Sequence, residues 1–193
     1  AYPKAIPNRH YNFNLDKVRT KEVLAGLNDY ARKIQVSIAW NEERFIGNSK
    51  GVFLPIEQKI ILNKSNTPGE NISTAIHELA HATLHNPQKD YKKELSQDRK
   101  ELEAELTSYL VSKHFGLDTS QKSIVYMAAW TDNLKELSDS DLSQSLTRIH
   151  KTTAKIIESV ERHTTPFQPN HQLRLNPSGP EFSRFPPSRG MKI

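Results

Sequence analysis

The fold is decided by residues 67–81, which read TPGENISTAIHELAH. Thr67 and Glu70 have the spacing of a capping box, in which each side chain bonds the backbone of the other residue, and a proline occupies the first helical position. The helix is expected to run to about His85, because Pro87 disfavours the helical conformation in the residue before it. This stretch therefore predicts a helix with a sharply marked start.

Two histidines lie four residues apart on this helix. Residues at that spacing share a helix face, so His77 and His81 can direct two imidazoles at one ion, while Glu78 turns its carboxylate toward a water on that ion. Neutral imidazole suits Zn²⁺, and a catalytic zinc needs three protein ligands and an open position. The alternative is two ordinary histidines on a packed helix. We predict one zinc ion per chain, with a third ligand from outside the motif.

The third ligand is expected to be a carboxylate of the following helix, predicted over about Ser96 to Phe115, or a nearby histidine. His85 lies ~12 Å from His77 along the helix axis, too far to share its ion from that helix. We expect His85 to be a C-terminal helix residue, favoured there by the helix dipole.

The following helix and its approach offer several carboxylates: Glu94, Glu101, Glu103 and Glu105. Glu101 and Glu105 are four residues apart and share a face, whereas Glu103 points away from both. Glu103 is expected on a solvated face. The spacing leaves Glu101 and Glu105 as rival ligands.

The rest of the chain predicts a small sheet and more helices. Apolar spacing indicates a helix from about Leu15 to Lys33. Three strand candidates follow, the last two separated by a turn and able to pair as a hairpin: Val36–Trp40, Gly51–Leu54 and Lys59–Asn63. Further helices are predicted over about 120–134 and 141–162. The fold class is α+β, mostly helical, with a three-stranded antiparallel or mixed sheet.

Composition excludes several kinds of site. The 193 residues include no cysteine, which excludes disulfides, thiolate metal sites and a cysteine nucleophile. No apolar run approaches the ~20 residues that cross a bilayer, so no membrane partner is expected. The first residues have no signal-peptide pattern and start at Ala1 rather than Met. We expect a cytoplasmic protein, either complete or a fragment of a longer chain.

Charge favours a protein over a nucleic acid as partner. The net charge is +5, but residues 164–193 carry +3 of it and six of the eleven prolines. A nearly balanced body with a basic tail is more typical of an enzyme than of a DNA-binding surface. A nucleic-acid-binding module using tail arginines and phenylalanines is the weaker alternative. We predict an extended arm over 1–14, one domain over 15–163 and a disordered tail over 164–193.

The Glu101-x-x-Ala104 spacing after the two histidines resembles the gluzincin arrangement. There, a glutamate on the following helix is the third zinc ligand, and a carboxylate four residues later lies behind one histidine. By that resemblance Glu101 is the third ligand, and Glu105 is the acceptor that fixes a histidine tautomer. Glu105 departs from the pattern, which has Asp at that place.

The motif and its spacing also look like the ImmA/IrrE family of zinc peptidases. The stretches GVFLP (residues 51–55), RKELEAEL (residues 99–106) and YMAAW (residues 126–130) are more similar still to the peptidase domain of ArdC-like antirestriction and LtrC-like proteins. The resemblance covers about residues 30–135 and implies a zincin-like domain from a mobile genetic element. ArdC-like proteins also carry a single-strand DNA-binding domain that this chain lacks or has lost, so their antirestriction role carries over only weakly. Members of the ImmA/IrrE family cleave or inactivate regulatory proteins, which implies a protein substrate.

The resemblance implies a zinc metallopeptidase that cleaves a regulatory or defence protein. Glu78 would act as general base, and Tyr126 would polarise the carbonyl, because a tyrosine stands there in the ArdC-like pattern. The alternative for Tyr126 is a core aromatic beside Trp130. An extended substrate could add to the edge strand at Val52–Leu54. The competing function is a proteolytically silent zinc-binding domain in antirestriction or regulation.

Overall fold

The computed structural model describes residues 17–40, 46–89, 95–119, 123 and 138–164. Within these residues the chain forms four helices and one sheet of three strands. In chain order the elements are α1 (Lys17–Lys33), β1 (Ser37–Ala39), β2 (Gly51–Leu54), β3 (Lys59–Leu62), α2 (Pro68–Leu84), α3 (Gln97–His114) and α4 (Asp139–Glu161). The predicted α+β class with more helix than strand is confirmed.

The sheet is mixed and has the strand order β1-β3-β2. β2 and β3 form the predicted antiparallel hairpin, with Gly51 opposite Leu62. Its turn includes Gln58 at a φ of 47°, a left-handed conformation. β1 runs parallel to β3, which leaves β2 at an edge of the described sheet.

Helix α2, which carries His77 and His81, lies at the centre of the described fold and packs against α3, the sheet and α1. Its residues Ile72, Ile76 and Leu79 are almost completely buried. The start of β2 lies very close to it, since a Cβ built on Gly51 would stand 2.6 Å from Cγ2 of Thr74. The absence of a side chain at position 51 thus allows the edge strand to approach the turn that precedes the motif.

The helices begin and end at the cap and stop residues present in the sequence. The Thr67 hydroxyl accepts from the Glu70 amide, and the Glu70 carboxylate accepts from the Thr67 amide at 2.7 Å, so the predicted capping box is present. The hydroxyl of Ser96 caps α3, and Gly116 follows that helix at a φ of 83°. A glycine adopts this conformation without steric cost, and the predicted stop is confirmed.

Other boundaries differ slightly from the prediction or cannot be compared. Strand β1 is three residues rather than five, and α4 begins two residues earlier than predicted. The predicted helix over 120–134 lies outside the described residues apart from Ser123. The arm over 1–14 and nearly all of the tail over 164–193 also lie outside them. No helix in the described ranges is long and apolar enough to cross a membrane.

Candidate metal centre

Three donor atoms from α2 and α3 converge at the half-exposed face of α2. Nε2 of His77 lies 3.1 Å from Nε2 of His81. Oε2 of Glu101 lies 3.4 Å from the first of these nitrogens and 3.6 Å from the second. Among the described residues, this is the one group of His, Asp and Glu side chains with the geometry to hold a metal ion.

The spacing of these atoms fits a zinc ion. Zinc binds imidazole nitrogen and carboxylate oxygen at about 2.0–2.2 Å, so a tetrahedral site has ligand atoms about 3.3–3.5 Å apart. The three observed separations of 3.1, 3.4 and 3.6 Å differ from that range by at most about 0.2 Å. Two imidazoles and one carboxylate also match the donor set of catalytic zinc sites, which keep a fourth position open.

Close packing of α2 on α3 brings Glu101 to the histidines. Ala80 and Ala104 are completely buried, and such small side chains allow two helix backbones to approach closely. The Glu101 side chain remains 27% exposed, so one side of the cluster is open to solvent. A substrate can therefore reach the cluster from that side.

The electrostatics of the cluster favour a cation. Burial of the His77 ring acts to lower its pKa, but the carboxylates of Glu101 and Glu105 outweigh this effect and raise the pKa to about 10. Burial likewise acts to raise the pKa of Glu101, but hydrogen bonds with His77 and His81 lower it below its ordinary range. A positive charge between these side chains is thus stabilised, and a metal ion would take the place of the proton.

Glu105 lies behind His77, on the far side of the ring from the cluster. Its Oε2 is 3.2 Å from Nδ1 of His77, and its Oε1 accepts a hydrogen bond from the Ser123 hydroxyl at 2.7 Å. The Glu105 side chain is 3% exposed. Its carboxylate is therefore placed to accept a hydrogen bond from Nδ1–H, which leaves the lone pair on Nε2.

Of the two predicted catalytic residues, Glu78 is among the residues that the structure describes and Tyr126 is not. Glu78 is 9% exposed and follows Thr74 by one helical turn, on the face of α2 that the edge strand β2 approaches. Its carboxylate is close enough to His77 to help raise the pKa of that ring. Tyr126 lies outside the described residues.

Glu103 does not face solvent, and that prediction is wrong. Its side chain is completely buried, because α4 packs over the side of α3 that turns away from Glu101. Burial acts to raise the pKa of Glu103, but hydrogen bonds from His85 and Ser145 lower it overall. Its charge is also faced by Arg148 of α4, whose guanidinium lies 3.4 Å from Oε2.

His85 is the C-cap residue of α2, as its predicted place at the helix end requires, and it does not join the cluster. Its ring also makes two contacts that the sequence did not predict. Nδ1 of His85 lies 3.0 Å from Nδ1 of His81, and Nε2 lies 2.9 Å from Oε2 of Glu103. Burial lowers the pKa of His85, and the Glu103 carboxylate offsets this only in part. The spacing of four residues from His81 was the one sequence signal for this contact.

Comparison with known proteins bears on this centre. A family described as zincin-like metallopeptidases matches residues 32–142, which include both helices of the cluster. The chain is also 34% identical over 177 residues to an uncharacterised protein of Bacillus anthracis. That alignment covers 86% of this chain and 29% of the relative, so the chain spans less than a third of the relative's length. No solved structure matches the chain.

Proposed function

The chain belongs to the family of zincin-like metallopeptidases, and on that premise we propose that it hydrolyses peptide bonds in a protein substrate with one zinc ion held by His77, His81 and Glu101. The observation that carries the proposal is the convergence of three donor atoms within 3.1–3.6 Å of one another. Sites of this donor set perform hydrolysis when the fourth position is left to water or substrate.

Zinc, when bound, supplies a Lewis acid that polarises a carbonyl and lowers the pKa of water to about 7. The residues of the chain supply position and proton transfer. His77 and His81 would present Nε2 to the ion. The Glu101 carboxylate would offset part of the ion's positive charge. Glu105 orients the His77 ring by accepting a hydrogen bond from its Nδ1–H.

Glu78 is the proposed general base. Its place beside both histidines lets it accept a proton from the attacking water and pass that proton to the leaving amine. Tyr126 is proposed, from the family resemblance, as a donor to the carbonyl oxygen of the substrate.

An extended peptide is the form of substrate that this site favours. Within the part of the chain that the structure describes, β2 has a strand partner on one side only, and its start abuts α2 at Thr74, one turn before Glu78. A peptide that adds to β2 would gain backbone hydrogen bonds and pass beside the general base. We propose a regulatory or defence protein linked to a mobile element as the substrate, on the resemblance to ImmA/IrrE-type and ArdC-like domains.

Zinc content and cleavage of a protein test the proposal. We would measure bound zinc and hydrolysis of an unfolded protein substrate in the parent, in E101A and in E78Q. Glu158→Gln is the matched control, because that glutamate is exposed and pairs with Arg162 on α4. We expect one zinc and zinc-dependent cleavage in the parent and control, loss of zinc in E101A, and zinc without cleavage in E78Q.

Other outcomes would decide against parts of the proposal. No zinc in the parent after reloading would overturn it entirely. Full zinc in E101A would move the third ligand elsewhere. Zinc without cleavage of any unfolded protein, peptide library or candidate regulator would favour the silent zinc-binding domain.

A further inference from the structure

We propose that His85 and Glu103 act as a positioning pair for His81, in which the His81 Nδ1–H donates to Nδ1 of His85 and the His85 Nε2–H donates to Glu103. The inference deepens the proposed function and rests on His81 being a zinc ligand. It assigns a role to two buried groups that the hydrolytic mechanism does not otherwise use.

The hydrogen-bond geometry defines one arrangement of protons. Nε2 of His81 faces the metal cluster, so its proton belongs on Nδ1, which lies 3.0 Å from Nδ1 of His85. Two ring nitrogens at that distance need one donor and one acceptor, so Nδ1 of His85 is the acceptor. The remaining nitrogen of His85 then carries a proton, and it lies 2.9 Å from the Glu103 carboxylate. Each contact is satisfied by a neutral His85.

The Glu103 carboxylate is held at its place by groups from two helices. The Ser145 hydroxyl donates to Oε1 at 2.7 Å, and the Arg99 guanidinium lies 3.5 Å from the same oxygen. Arg148 reaches Oε2 and also donates to the carbonyl of Leu84 at the end of α2. The carboxylate at the end of this series of hydrogen bonds is therefore fixed in place where α2, α3 and α4 meet.

The two ligand histidines are supported differently. His77 contacts a carboxylate directly, through Glu105, whereas His81 reaches one through a second imidazole. His81 lies one turn nearer the end of α2, and the nearest buried carboxylate on α3 faces α4 rather than the metal cluster. The His85 ring spans the gap between His81 and that carboxylate. Partners of this kind orient metal-binding imidazoles and raise their basicity.

The test removes the His85 acceptor while keeping a ring in the same space. We would compare His85→Phe and His85→Asn with the parent in the full chain. The Asn amide oxygen lies near the place of the ring Nδ1, so it can accept from His81 but does not reach Glu103. Tyr30→Phe is the control for a general loosening of α2, because the Tyr30 hydroxyl bonds Thr83 on that helix at 3.1 Å.

The readouts are the zinc dissociation constant by chelator competition, the visible spectrum of the cobalt(II) protein, and the histidine tautomers of the zinc-loaded parent by ¹⁵N NMR. We expect zinc affinity to fall about 10–100-fold in H85F, with an altered cobalt spectrum. H85N should recover part of the affinity, and Y30F should match the parent. His85 should carry its proton on Nε2.

Two results would overturn the inference. One is a zinc affinity of H85F within twofold of the parent together with an unchanged cobalt spectrum. The other is a proton on Nδ1 of His85 in the zinc-loaded parent. If H85F does not fold, H85N and the parent tautomer decide the question by the same criteria. A parent that binds no zinc refutes the proposed function itself, whereas a parent that binds zinc with H85F unaffected refutes the positioning pair alone.

Discussion

Nδ1 of His77 lies 3.2 Å from Oε2 of Glu105, a carboxylate that is buried and held on its other oxygen by the Ser123 hydroxyl. The contact joins α2 to α3 on the side of the His77 ring away from the three converging donor atoms. It defines which nitrogen of His77 is free to bind an ion, and it bears on a departure from the gluzincin pattern, which has Asp at this place.

We predict that Glu105→Gln weakens zinc binding about 10–100-fold. The amide oxygen can still accept from His77, but it lacks the charge that raises the basicity of the ring. Glu105→Asp is predicted to weaken binding as well, although it restores the residue of the pattern, because the shorter side chain moves its oxygens away from Nδ1. Chelator competition measures both, and unchanged affinity in both variants would contradict a supporting role for this carboxylate.

We predict that Glu78→Gln lowers kcat by at least about 100-fold, the contribution typical of general base catalysis. Zinc affinity should remain within a few-fold of the parent, because Glu78 is not among the three converging donors. Steady-state kinetics on one peptide substrate and a zinc titration measure the two effects. A loss of zinc that accounts for the loss of activity would instead indicate that Glu78 is a ligand.

We predict that Glu103→Gln destabilises the protein near neutral pH by about 1–3 kcal/mol, because the neutral amide loses the charge that faces Arg148 and His85, while Arg99 keeps its ion pair with Asp141. The folded-state pKa of Glu103 is lowered from its ordinary value of 4.5. Its charge therefore contributes stability that is fully present above about pH 4.5 and is lost as the pH falls through the folded-state pKa.

The measurement is the difference in free energy of unfolding between the zinc-free parent and zinc-free E103Q, from denaturant titrations from pH 7 down to pH 3. Groups common to both proteins largely cancel in this difference. We expect the gap to narrow below about pH 4.5. A gap that is constant with pH would show that the charge of Glu103 contributes nothing to folding.

We predict that Gly26→Ala destabilises the fold without changing zinc affinity. Alanine would favour helix α1 by about 1 kcal/mol over glycine. The added Cβ would, however, stand 2.4 Å from Cα of Val160 on α4, a backbone atom that no rotamer change can move. Overpacking typically costs about 1–3 kcal/mol, and a backbone contact lies at the upper end, so the clash prevails. A thermal melt beside a zinc titration checks both parts, and increased stability would show that α1 and α4 separate at little cost.

Features that depend on near neighbours in the chain could be predicted from the amino-acid sequence. The capping box at Thr67, the end of α2 near Pro87, the β2–β3 hairpin and the stop at Gly116 all arise from interactions over a few residues. The placing of His77 and His81 on one face also follows from helix geometry alone.

The surroundings of the side chains on α3 depend on segments that are far apart in the sequence. Spacing placed Glu101 and Glu105 on one face and Glu103 on another, but it could not show that α4 covers Glu103. Ser145 and Arg148 lie more than forty residues along the chain, and their approach turns an apparently solvated carboxylate into a buried one. The contact of His85 with Glu103 escaped the sequence for the same reason. Burial depends on which distant segments pack together, and no periodicity within one helix records that.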